Sequence, residues 1–275
     1  MVVSNEWKKA TRAEPCRICE KPDWCCIGLQ FACCMRITSD KPCKNGGWLH
    51  ALDSAPKTLP PKKKEIEPQK INVTRLMATF QSQTMSAWIE KLAVELSVST
   101  DSLRSLDVAW ASPFLAWAFP MRDGYGDPIG IRLRTADGKK FAVTGSRQGL
   151  FIPSYSPHGE LYICEGPTDT AAMLSIGGYA IGRPSCLGCE DMIRDFIRVN
   201  KIRTVTIVAD ADEPGQRGAE KLQASLKVKS KIWTPPAKDI REAAKKGLTA
   251  KLIEQLTKHI LWMQPKYDEI PRKNT

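Results

Sequence analysis

Glu165 closes the run LYICE and is followed by GPTDTAA; forty-five residues on, Asp210 and Asp212 close TVTIVADAD and are followed by EPG. In both places a short apolar, β-rich run ends in carboxylates, then Gly or Pro, then a helix-like segment. Open α/β sheets deliver ligand-binding side chains in this way, at the carboxyl ends of their strands. Asp210 and Asp212 are two residues apart, so on an extended chain both project to one face. Three carboxylates gathered there repel one another unless a divalent cation neutralises them. An all-oxygen set suits Mg2+ or Mn2+, and the chemistry it suggests is phosphoryl transfer.

A second constellation is built from cysteine. Seven of the ten cysteines precede residue 44. Cys16 and Cys19 form a C-x2-C knuckle, with Cys25, Cys26, Cys33, Cys34, Cys43 and His50 downstream. Zinc takes four tetrahedral N/S ligands, and paired knuckles supply them where a small module has little core. The doublets Cys25/Cys26 and Cys33/Cys34 leave the second pair open, because adjacent cysteines seldom both reach one metal. The expected Zn2+ ligands are Cys16, Cys19, Cys25 and Cys34, with Cys33, Cys43 or His50 as substitutes. Trp24, Trp48 and His50 flank the knuckles, where they either stack on unpaired bases or pack around the metal. A further C-x2-C at Cys186 and Cys189, even with Cys164, lacks a clear fourth ligand and reads as loop and core.

The elements that position these groups follow from periodicity. Residues 160–165, 179–182, 203–210 and 228–233 read as strands, alternating with helices at 168–177, 188–200 and 214–226. That rhythm predicts an α/β fold with a mostly parallel sheet and flanking helices. Upstream, residues 71–106 are helical, with Trp88, Ile89, Leu92, Ala93 and Leu96 at three- and four-residue spacing. Residues 114–152 are β-rich, punctuated by Asp123-Gly124 and Asp137-Gly138. One amphipathic helix is expected over 239–262, then a polar tail. The Pro- and Lys-rich stretch 56–70 reads as a solvated linker.

The chain carries a net charge of +11 with pI near 9.2, which favours a polyanionic partner, nucleic acid before membrane. No run approaches the length of a spanning helix, and the N-terminus lacks a signal-peptide core. A reducing, cytoplasmic location follows, where clustered cysteines bind metal before they form disulfides. Arg122, Arg132, Arg134, Lys140 and Arg147 fall within the β-rich segment, and Arg132 and Arg134 share one strand face. They are the candidate contacts to a template or an incoming nucleotide. For Lys139 and Lys140 a solvated sheet face is the preferred reading.

The pair EGPTDTAA and DADEPG resembles the Toprim domain shared by DnaG-type primases, topoisomerases and some nucleases. In that family the Glu ends the first strand and does acid–base or metal work, while the D-x-D binds Mg2+. The resemblance carries these roles to Glu165 and to Asp210 and Asp212, and Asp169 matches the acid of the E-G-x-x-D form. AFPMRDGYGDPIGIRLRTADGKKFAVTG is similar to the template-binding subdomain that precedes Toprim in these primases. CRICEKPDWCC…CCMRI…GGWLH resembles the zinc modules of primase-like proteins from phages and mobile elements. AKDIREAAKKG falls where the family has a further acidic motif, which makes Asp239 an accessory metal ligand.

The order zinc module, basic subdomain, Toprim is more specific than any one motif. It implies a zinc-ribbon-like module at 1–55, a linker at 56–70 and an α+β primase-type subdomain at 71–157. A Toprim catalytic domain at 158–236 and a C-terminal helix and tail at 237–275 complete it. Cellular members are longer, so a compact form of phage, plasmid or mobile-element type is implied. The implied activity is primer synthesis on single-stranded DNA by a DNA primase, from ribo- or deoxynucleoside triphosphates (NTPs or dNTPs), beside a helicase or polymerase partner. A Toprim-type nuclease and a non-catalytic nucleic-acid-binding subunit of a replication or defence complex are the alternatives.

Overall fold

The computed structural model describes residues 7–44, 46–52 and 71–265. The chain divides into two units, Met1–Ile66 and Glu67–Thr275. The expected linker at 56–70 and the end of the polar tail, 266–275, lie outside the described residues.

In the first unit β1 (Lys8–Lys9), β2 (Cys26–Ile27), β3 (Phe31–Cys34) and β4 (Trp48–Ala51) form an antiparallel sheet in chain order. Its core is Ala10, Ile27, Ala32 and Leu52 around the buried Cys16, Cys25 and Cys34. So little apolar surface cannot offset the entropy of ordering the chain, and small folds of this kind need a staple.

The second unit opens with three helices, α1 (Val73–Gln83), α2 (Ser86–Leu96) and α3 (Thr100–Ser105). Asn72 caps α1 by accepting from the Arg75 N–H, and Ser99 caps α3 by accepting from that of Ser102. The strands β5 (Ala109–Ala111), β6 (Ala116–Arg122), β7 (Pro128–Thr135) and β8 (Lys140–Ala142) follow as an antiparallel meander. Val73, Met77 and Phe80 of α1, at helical spacing, pack on a face of that meander paved by Ala109, Ala111, Ala116 and Ala118. Alanines let the helix approach closely enough to bury Phe80, worth about 2–3 kcal/mol. Phe119 and Met121 point to the opposite face, with α2, α3 and the α/β half.

That half contains β9 (Leu161–Glu165), α4 (Gly166–Ser175), β10 (Tyr179–Arg183), α5 (Glu190–Val199), β11 (Thr204–Val208), α6 (Glu213–Ser225) and β12 (Lys229–Trp233). The four strands are all parallel, in the order β10-β9-β11-β12. Both faces are covered, which explains the near-continuous apolar strands. Along β9, Tyr162 and Cys164 join the core under α4, while Leu161 and Ile163 join that under α5 and α6. A bridge between Phe151 and Gly182, with hydrogen bonds of 2.8 and 2.9 Å, ties the incoming chain to β10.

Some boundaries differ from the sequence expectation. The helix expected over 239–262 is two helices, α7 (Ile240–Lys245) and α8 (Ala250–Thr257). Gly247 between them has φ of 95°, which turns the chain out of the helix. The strand expected to run to residue 210 stops at Val208, so Asp210 and Asp212 lie on the turn beyond it. Among the described residues no helix is long and apolar enough to cross a membrane.

Candidate functional site

Topology creates the crevice. From β9 the chain leaves through α4 on one face of the sheet, whereas from the adjacent β11 it leaves through α6 on the other. Between two such strands the loops part, and ligands of open α/β sheets bind there. Glu165 is the last residue of β9, and Gly166, with φ of 77°, makes the turn into α4. Asp210 follows β11 by two residues. Asp212 caps α6, its Oδ1 accepting from the Gly215 N–H at 2.8 Å. A Cβ on Gly215 would come within 3.0 Å of both the Asp210 carbonyl oxygen and Asp212 Oδ1, so the missing side chain keeps the turn close to its helix.

Asp169, one turn into α4, and Asp239, which caps α7 through the Glu242 N–H at 2.7 Å, complete the acidic group. Burial pushes the Asp169 carboxyl up to about 7, and the charges of Asp239 and Asp210 add to the shift. Burial likewise raises Asp210 to about 6, followed by repulsion from Glu165, Asp239 and Asp212. Asp169 Oδ1 is buried with no hydrogen-bond partner among the described residues, and such an atom is costly to leave unsatisfied. No three of these carboxylates bring oxygens within 4.8 Å of one another. That spread suits a cation such as Mg2+, which keeps several waters and takes one or two carboxylates directly. An orphaned buried oxygen and carboxyls whose proton affinity is raised by burial and mutual repulsion are what a divalent cation would relieve, so the residues fit such a group.

Two cations that sequence reasoning missed lie among the acids. Arg183, the register partner of Glu165 on β10, is only 2% exposed and donates to the Gly218 carbonyl at 3.2 Å. Burial lowers its pKa, and the charge of Glu165 is the first influence opposing that. Arg241 lies 3.9 Å from Asp239 and its charge acts on Asp169. Expecting the strand to end at residue 182 left Arg183 in a loop; one more residue of pairing would have set it beside Glu165.

The basic residues of the meander divide into groups. Arg132 and Arg134 are half-buried on β7, opposite Phe119 and Trp117 of β6 and opposite Ala142 and Lys140 of β8. Cross-strand partners share a face, so these cations lie on the side turned to the α/β half. Neither arginine has an ion pair among the described residues. Lys140 is exposed, and its charge acts on both Asp169 and Asp210. Lys139 pairs instead with Asp137 at 2.9 Å. Arg122 is held by Asp107 at 2.6 Å and the Gly126 carbonyl at 2.9 Å, so its fork is occupied within the fold. Arg147 is exposed beyond β8, its backbone N–H bonded to Ile129.

In the first unit the sulfurs of Cys16, Cys19, Cys25 and Cys34 all lie within 4.8 Å of one another. Cys19 and Cys25 sulfurs are 3.7 Å apart, and those of Cys25 and Cys34 are 4.0 Å apart. A tetrahedron with Zn–S bonds of about 2.3 Å has an edge of about 3.8 Å, so the four thiols fit zinc. Cys26 and Cys33 are register partners across β2 and β3. The pleat therefore sends Cys25 and Cys34 to the other face. Amides of Met35, Arg36 and Ile37 point at Cys25 or Cys34 sulfur, at 3.4, 3.4 and 3.2 Å. Burial pushes the Cys25 thiol up to about 12. At Cys19 burial is outweighed by the Lys21 backbone and neighbouring thiols, which bring it down to about 7. His50 is turned away, its Nε2 2.9 Å from the Ile37 carbonyl. Trp24 is 78% exposed, with Arg36 over its ring. Cys186 and Cys189 join no metal-sized group among the described residues.

No family model matches the sequence, and no curated protein matches it. Solved structures do. The E. coli primase catalytic core aligns with a TM-score of 0.54 at 15% identity, covering 69% of this chain and 79% of that one. The DnaG primase catalytic domain bound to ssDNA gives 0.54 at 16%, covering 69% and 79%. The zinc-binding and RNA polymerase domains of the Aquifex aeolicus primase give 0.56 at 14%, covering 70% and 60%. At this identity the likeness establishes the fold, a mixed α/β primase-like core.

Proposed function

We propose that the chain is a primase-type nucleotidyltransferase that builds short primers on single-stranded DNA. The observation that carries this reading is the acidic group at the switch point of β9 and β11, facing cations from a neighbouring antiparallel sheet. The primase-like fold supports it. In this reading residues 1–55 are a zinc module, 56–70 a linker, 71–157 the template subdomain, 158–236 the Toprim domain and 237–275 the C-terminal segment.

Asp210 and Asp212 would hold Mg2+ or Mn2+, with Glu165, Asp169 and Asp239 beside them. Bound cations of this kind stabilise the charge that develops on attacking and leaving oxygens when a 3′-hydroxyl displaces pyrophosphate from an α-phosphate. The chain's own work is positioning. Arg132, Arg134 and Lys140 bind phosphates of the template or the incoming nucleotide. Glu165, whose carboxylate has no hydrogen-bond partner among the described residues, is the group free to receive the hydroxyl proton. Arg183, its register partner on β10, sets a buried positive charge near that carboxylate. Cys16, Cys19, Cys25 and Cys34 would hold Zn2+ in the first unit, and the partners are the template, nucleoside triphosphates and a helicase or polymerase.

The test is incubation of the purified chain with single-stranded DNA, labelled NTPs or dNTPs, and Mg2+ or Mn2+. Short labelled products that disappear in the double variant Asp210→Ala, Asp212→Ala support the proposal. Loss of template instead of product would make the site a nuclease, and binding without either would make the chain a non-catalytic subunit.

A further inference from the structure

The acidic group occupies the carboxyl edge of the parallel sheet; the amino edge carries the opposite charge. The chain enters β11 through Lys201, Ile202 and Arg203, and enters β12 through Lys227 and Val228, with Lys229 the first residue of the strand. The last turns of α5 add Arg194 and Arg198. These residues line two depressions of about 530 Å³ each, which share Ile202, Lys227 and Val228 and so form one continuous groove. Among the described residues six cations border it, Arg194, Arg198, Lys201, Arg203, Lys227 and Lys229, against one lining acid, Asp195.

Some of this charge is balanced locally. Arg194 pairs with Asp191, and Arg198 with Asp195 at 2.9 Å. Lys201, Arg203 and Lys229 are exposed and form no ion pair among the described residues. The floor is apolar, from Ile197, Ile202 and Val228. At one end Arg198 donates to the Tyr125 hydroxyl at 3.0 Å, and that tyrosine is 61% exposed. A row of cations over an apolar floor, with an aromatic ring at its mouth, matches a strand that carries a phosphate at every step and a base between. Five-residue strands separate this edge from the carboxylates by about 16 Å. A short oligonucleotide seated at the carboxylates therefore cannot also fill the groove.

We infer that the amino edge of the parallel sheet is a second nucleic-acid site, which binds the phosphate backbone of a single strand away from the acidic group. It rests on the proposed function only in taking the strand to be the template. The groove contributes affinity for long strands and nothing to the chemistry, so its signature is dependence on strand length.

The experiment compares the whole chain with the triple variant Lys201→Gln, Arg203→Gln, Lys229→Gln, whose exposed positions leave the core untouched. Fluorescence anisotropy with a short and a long labelled single strand is measured across a salt series. The expected result is unchanged affinity for the short strand and weakened affinity for the long one. Its slope of log K against log salt should be shallower by about 0.7 for each cation removed, about 2 in all. An unchanged long-strand slope overturns the inference, as does a variant that loses only its affinity for an acidic polypeptide such as polyglutamate. Patch-dependent binding by a wild-type chain that makes no primers would sink the primase reading and leave this one standing.

Discussion

Lys140 stands on β8 of the antiparallel meander and Asp210 on the turn beyond β11, yet the charge of the lysine lowers the proton affinity of the carboxyl. It does the same at Asp169. Lys140 sits opposite Arg134 on β8, so this relationship ties the cationic face of the meander to the acidic group of the α/β half. Removing the charge in Lys140→Gln should raise the proton affinity of both carboxyls further. Because Lys140 is exposed, the effect should shrink as ionic strength rises. Carboxyl titration followed by NMR at low and high salt checks both statements; an unmoved Asp210 would break the link.

Asp169 and Asp210 hold their protons more tightly in the folded chain than the ordinary value of 3.8, at about 7 and about 6. A raised carboxyl favours folding while it is protonated. That contribution is full below the unfolded value and is lost as pH rises through the folded values. Without cation, stability should therefore fall between about pH 4 and pH 7, by a few kcal/mol from Asp169 on the order of its shift. Mg2+ or Mn2+ at pH 8 should restore it in a concentration-dependent way. Thermal melts of the wild type and of Asp169→Asn across this window isolate the effect, since the variant should lack most of the slope.

Asp210→Asn should separate stability from function. Neutralising this carboxyl removes repulsion with Glu165, Asp239 and Asp212, so the cation-free protein should melt higher than wild type above pH 6. The same change removes a proposed cation ligand, so synthesis should fall by about a hundredfold or more, and the melting temperature should stop responding to Mn2+. Melts and primer assays on one preparation read both. A variant that is destabilised and still active would contradict the assignment.

Arg132 and Arg134 share one face of β7 without an ion pair among the described residues, which leaves both guanidinium groups available to phosphate. Arg132→Ala with Arg134→Ala should weaken binding of a short single strand and reduce its salt slope by about 1.4. Arg122→Ala should act differently. That side chain anchors Asp107 and Gly126, so its loss should lower thermal stability, with the salt slope unchanged. Binding and melting curves on both variants decide between the two roles.

The strand–helix alternation of the α/β half was legible because a strand covered on both faces shows a nearly unbroken apolar run. The acids were legible because they interrupt such runs at their ends. Arg183 was hidden by the same logic: a buried arginine at a strand end looks like the start of a loop until its pairing with Glu165 is known. The break at Gly247 was hidden because residues on both sides keep helical periodicity, and only the positive φ distinguishes a turn from one costly glycine within a helix. Lys140 gave no local sign of its place beside the acids, since Asp169 and Asp210, the carboxyls its charge acts on, lie 29 and 70 residues further along the chain.

The doublets Cys25/Cys26 and Cys33/Cys34 could not be resolved by spacing, but strand register separates them. Pairing of Cys26 with Cys33 puts Cys25 and Cys34 together on the opposite face, where Cys16 and Cys19 also gather. Four thiols around one Zn2+ give apparent binding energies of about 10–16 kcal/mol, far more than the few buried apolar side chains of this unit supply. Cys25→Ser or Cys34→Ser should therefore abolish zinc binding and unfold the first unit. Cys26→Ser, Cys43→Ser and His50→Ala should retain one zinc per chain. Since Glu67–Thr275 has its own core, a chelator should expose the first unit to protease while the second resists digestion. Metal analysis with limited proteolysis measures both, and zinc retained by Cys25→Ser would move the site to another ligand set.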